Sequence, residues 1–139
     1  MSPSEGDDEY LTDRSEVLYR HVHPNWIKSD EPTSQAFRPN SKDEGKLSTA
    51  RGSMTSAAGA FALYTEGLGL RAAGTWAVSV GELAAEPSPL NAVADPIEDD
   101  PCPDPAHAYI DFGVMHRKTI EAKAKVLLAA ARRRGRQHP

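Results

Sequence analysis

The run Gly74-Thr75-Trp76-Ala77-Val78-Ser79-Val80 places a large apolar residue at every second position, and that alternation limits what the chain can fold into. Successive side chains of a strand point to opposite faces. Trp76, Val78 and Val80 therefore share one face, and Thr75, Ala77 and Ser79 the other. One face is packed and the other polar or lightly covered, as in an antiparallel sheet. Residues 106–112 repeat the pattern, with Ala108, Ile110 and Phe112 turned to the core and His107, Tyr109 and Asp111 turned away. Residues 16–23 give an earlier strand that Pro24 ends, since proline has no N–H to offer a ladder. A shorter strand is expected at 46–50, closed by the turn signal Arg51-Gly52.

Helical spacing takes over in two places. Ala57, Phe61, Tyr64 and Leu68 recur on one face of a helix expected over 55–66, capped by Ser53 or Thr55 and stopped by Gly67 and Gly69. Residues 115–134 carry an apolar stripe of Ile120, Ala124, Leu127 and Ala131 on a run of strong helix formers. This order predicts an α+β domain: a small, mostly antiparallel sheet of about four strands with two helices packed on one face.

The expected organisation is a disordered acidic tail over 1–15, a single domain over 16–135 and a basic tail over 136–139. Within the domain, 84–106 is rich in proline and acids and reads as a long loop. Cys102 is the only cysteine, so no internal disulfide forms and a reducing compartment is the default. No apolar run approaches the roughly 20 residues that span a bilayer, and the acidic N-terminus is unlike a secretory leader. These features predict a soluble, cytoplasmic protein with no membrane partner.

The net charge of −4 is unevenly spread. Residues 116–139 hold eight Lys or Arg against the single acid Glu121, giving +7 there and leaving −11 on residues 1–115. Arg132, Arg133, Arg134 and Arg136 make nucleic acid a candidate partner, although no aromatic residues interleave to stack on bases. An acidic loop and a basic helix also suit docking to a partner protein.

The segment Val17-Leu18-Tyr19-Arg20-His21-Val22-His23 puts His21 and His23 on one face of the first strand. With His107 they form a candidate set for zinc or another divalent metal, and with His107 and Glu66 a candidate catalytic set. Arg20 stands between Leu18 and Val22, where a charge is costly unless it is paired or meets an anion. Arg20, Arg38, Arg51, Tyr109 and Asp111 are the candidate ligand-binding residues. Arg51-Gly52-Ser53, just before the first helix, suits an anion held by backbone N–H groups. Cys102 lies among acids and prolines, a poor setting for a nucleophile. Walker-type loops, nucleophile elbows and His-Glu-x-x-His are absent from the sequence.

In outline, Tyr19-Arg20 on an early strand and Leu47-Ser48-Thr49 on a second strand before a helix resemble the arrangement of ADP-ribosyltransferases. The resemblance implies a later catalytic Glu, with Glu66 or Glu82 in that place. The chain departs from the family in having no paired Glu-x-Glu and no second Ser after Thr49. The expectation is a small binding or accessory module whose His/Arg cleft takes an anionic, nucleotide-like small molecule or a partner protein. The alternative is an enzyme using the same cleft, either a metal-assisted hydrolase or an ADP-ribosyltransferase-like nucleotide-group transferase.

Overall fold

The computed structural model describes residues 9–39, 45–84, 89–98, 102–113 and 115–138. The chain enters the sheet at Glu9–Tyr10 (β1) and buries Leu11 immediately after. Residues 9–11 thus belong to the fold, and residues 1–8 of the expected acidic tail lie outside the described residues. Val17–Val22 (β2) follows, then a two-stranded hairpin of Ile27–Lys28 (β3) and Glu31–Pro32 (β4). The remaining strands are Lys46–Arg51 (β5), Gly74–Ser79 (β6), Asn91–Ala94 (β7) and His107–Asp111 (β8). The helices are Ala57–Ala62 (α1), Val80–Leu83 (α2) and Arg117–Arg134 (α3).

Six strands form one sheet in the order β1-β7-β8-β5-β2-β6, antiparallel at every pairing. The fold class is therefore α+β with an antiparallel sheet, but among the described residues there are eight strands, six of them in this sheet, where a sheet of about four was expected. Two of the additional strands come from segments read as tail and loop. Asn91–Ala94 is only four residues long, yet Ala92 and Val93 are buried and its backbone joins β8 to β1. So short a strand shows too few alternations to be told from a loop by pattern.

Leu18, Val22, Leu47, Trp76, Val78 and Ile110 form the core cluster with Ala124, Leu127 and Ala131 of α3. These strand residues belong to one set of alternate positions, and the chosen stripe of α3 meets them. The contacts of α1 fall on the opposite face, where Phe61 and Tyr64, in the turns around its C-terminal end, meet the His21 ring. The two helices thus meet opposite faces of the sheet rather than one. Val80 does not close β6; Ser79 caps α2 with a reciprocal capping box to Glu82, so the strand passes directly into a helix. Ser56, rather than Ser53 or Thr55, caps α1 by accepting from Gly59 N.

The C-terminal segment is docked over its described residues. Gln137 N donates to Thr75 O, Thr75 N donates to His138 O, and the Arg136 guanidinium lies 4.8 Å from the Trp76 ring centroid. Residues 136–138 therefore cover the edge of β6, where unpaired backbone groups would otherwise face water.

Candidate functional site

The sheet opens between β2 and β5. β2 keeps register with β6 over six residue pairs, but with β5 over only two, Leu18↔Arg51 and Tyr19↔Ala50. Beyond Tyr19 the strands part, and the Arg20 side chain reaches across. Its Nη1 donates to Ser48 O at 3.0 Å, its Nε donates to Ala36 O at 2.8 Å, and its guanidinium lies 5.6 Å from the Trp26 ring centroid. A charge between Leu18 and Val22 is thus met by backbone carbonyls and an aromatic face.

A cleft of about 370 Å³ lies over this fork. Arg20, His21, Ser48 and Thr49 contribute from the strands, Leu63, Tyr64, Leu68 and Leu70 from α1 and the chain after it, and Ile97, Cys102, Asp104 and His107 from the β7–β8 side. The volume falls in the range of pockets that hold small molecules, and so does the mixture of apolar walls with a few polar groups. The helix loosens at the cleft. Leu63–Gly67 continues α1 as a π turn, a geometry often found at functional sites. Gly67 permits the wall to close, because a Cβ there would stand 2.8 Å from Cys102 Sγ.

Register explains why distant residues share this wall. Ala77, Tyr19, Ala50 and His107 form one cross-strand row over β6, β2, β5 and β8. His21 and Thr75 form the next row on the same face. His21 Nδ1 lies 2.8 Å from Thr75 Oγ1, and its ring lies 4.6 Å from that of Tyr64. Burial, reinforced by the positive charge of Arg20 and by His138, lowers the imidazole to about 4 from the usual 6.5. His21 is neutral at physiological pH.

The metal set does not assemble. β5 stands between β2 and β8, so His21 and His107 are roughly 10 Å apart by strand spacing alone. His23 leaves the sheet to cap the turn Pro24–Trp26, its Nδ1 accepting from Asn25 N. His107 Nδ1 contacts the backbone oxygen and carboxylate of Asp95. Among the described residues, no three His, Cys, Asp or Glu side chains are placed to hold a metal ion.

Of the candidate ligand-binding residues, Arg20 lines the cleft, whereas Arg38, Arg51, Tyr109 and Asp111 do not. Arg51 pairs with buried Glu16 at 2.9 Å, and Ser53 donates to the same carboxylate at 2.5 Å. The Gly52 N–H is taken by Val17 O, so the anion site expected at Arg51-Gly52-Ser53 is a structural knot. Arg38 pairs with Glu121, Lys46 lies over the Tyr109 ring, and Asp111 accepts from Gly113 N in the turn after β8. Glu66 is exposed and does not line the cleft; Glu82 is held by Arg134 and its capping role. Three of the four C-terminal arginines have partners within the chain: Arg132 on Pro32 O, Arg134 on Glu82, and Arg136 on Trp76 and Asp30 O.

Sequence patterning does not single out Leu63, Tyr64, Leu68, Leu70, Ile97 or Asp104 as site residues, yet all six line the cleft. Leu68, Leu70 and Ile97 are large apolar side chains left exposed; helical spacing carries Leu68 onto the apolar face of the first helix, and Ile97 falls in the segment expected as a long loop. No protein family, curated protein or solved structure that was compared with the chain matches it.

Proposed function

We propose that the protein is a small binding module whose fork cleft takes an anionic, nucleotide-like small molecule. The observation that carries this reading is the convergence of Arg20, His21, Ser48 and Tyr64 on one cleft walled by leucines. A guanidinium attracts phosphate, a ring beside an imidazole offers a stacking surface, and the apolar wall excludes water from both. Such a combination favours a ligand with a flat ring at one end and negative charge at the other. Calorimetric titration with AMP tests it. The reading expects saturable binding that is lost in Arg20→Met and in Leu70→Glu; the second variant changes only an exposed rim residue. Heat that is unchanged in Leu70→Glu would contradict the cleft as the site.

A second reading, nucleotide-group transfer, is favoured by one observation. Arg20, Ser48 and Thr49, the residues that carry the resemblance to ADP-ribosyltransferases, line the same cleft. Its weakness is the acid: neither Glu66 nor Glu82 is in the lining, and Asp104 is the carboxylate that is. Release of nicotinamide from NAD, abolished by Asp104→Asn, is the outcome this reading expects.

A further inference from the structure

We propose that His21 is a fixed, neutral hydrogen-bond donor in the cleft, and that it selects ligands presenting an uncharged acceptor, such as a nucleobase nitrogen or carbonyl, beside Tyr64. This rests on the nucleotide-like reading of the cleft and names the part of the ligand that is read. Thr75 is fully buried, and His21 Nδ1 is the only hydrogen-bond partner of its hydroxyl among the described residues. A buried hydroxyl proton left without an acceptor is costly, so it is donated to Nδ1. Nδ1 then has no proton of its own, and the ring proton sits on Nε2. Nε2 has no hydrogen bond among the described residues and belongs to a side chain lining the cleft.

The surroundings hold this state. The groups that act on the ring are Arg20 and His138 by their electrostatic influence and Tyr64, which lies against it from the π turn; among the described residues no carboxylate shifts it. Burial and the positive charge of Arg20 both oppose an imidazolium. A neutral N–H donor meets an uncharged acceptor well and gives a phosphate no counter-charge, so charge recognition is left to Arg20. Thr75 is a positioning residue, acting only through His21.

Two measurements test this on the full chain. Long-range nitrogen–proton NMR of the labelled protein at pH 7 should show His21 protonated on Nε2 alone. Thr75→Val should convert that signal to a mixture of tautomers. A ring proton on Nδ1 in the parent protein overturns the proposal. Binding of AMP, ribose 5-phosphate and inorganic phosphate is then compared. AMP should bind at least about fivefold more tightly than ribose 5-phosphate, from the stacking and acceptor of the base. His21→Phe, which keeps a ring against Tyr64, should weaken AMP about three- to tenfold and leave ribose 5-phosphate unchanged. Equal affinity for AMP and ribose 5-phosphate in the parent protein overturns the inference while leaving an anion cleft intact. Failure of all three probes to bind overturns the reading of the cleft, and the selection by His21 with it.

Discussion

Arg20 and Ser48 are joined across the opening of the sheet: the guanidinium donates to the Ser48 carbonyl at 3.0 Å where strand pairing between β2 and β5 has stopped. One side chain thus replaces part of a ladder and also forms part of the cleft. Lysine offers its donors from one point, and so does not reproduce the separate Nε and Nη1 donors that serve Ala36 O and Ser48 O. Arg20→Lys should lower stability by about 1.5–3 kcal/mol, the usual cost of charged hydrogen bonds, measured by urea unfolding. A loss below a few tenths of that would show that the fork holds without it.

His21 makes stability depend on pH in a stated direction. Its folded value of about 4 lies below the usual 6.5, so between these two the unfolded chain binds the extra proton. The contribution is complete above about 6.5 and is lost as pH falls toward 4. Its full size is on the order of 3 kcal/mol. His21→Phe should flatten the unfolding free energy across this window relative to the parent. Parallel curves for the two proteins would refute the assignment.

Glu16 acts at lower pH. Burial alone pushes its carboxyl up, but hydrogen bonds from Arg51 and Ser53 outweigh that and hold it below the usual carboxylate value. Its stabilisation is present above about 4.5 and disappears as pH falls through the lowered value. Glu16→Gln should cost about 1.5–3 kcal/mol at pH 7, with the difference shrinking in acid. A difference independent of pH would place the effect in packing instead.

Gly52 sits where no side chain fits. A Cβ there would stand 2.4 Å from Val17 Cγ2 and 2.9 Å from Val17 O. Gly52→Ala should therefore cost about 1–3 kcal/mol through overpacking, read from the thermal midpoint. Val17→Ala in the same chain should recover part of the loss by removing the nearer contact.

Much of this architecture is legible from residues alone. The alternation Trp76-x-Val78 fixes the edge strand β6, Ala108-x-Ile110-x-Phe112 a second strand, and Ala124, Leu127 and Ala131 the helix packed on them. The sequence of β2 also marks Arg20 and His21 as residues that need an explanation. The fork is not legible, because loss of register between β2 and β5 is a property of two segments together and leaves no mark on either. For the same reason His107 reads as a neighbour of His21, when β5 separates their strands. Leu68, Leu70 and Ile97 gain meaning only once folding sets them around one space, since isolated apolar residues in loops are ordinary.

The most direct test of the account is the map of amide shifts in the labelled full chain on titration with AMP. The account predicts saturable changes concentrated at Arg20, His21, Ser48, Tyr64 and Asp104, absent in Leu70→Glu. Changes confined to Arg132–Arg136, or no changes at all, would contradict it.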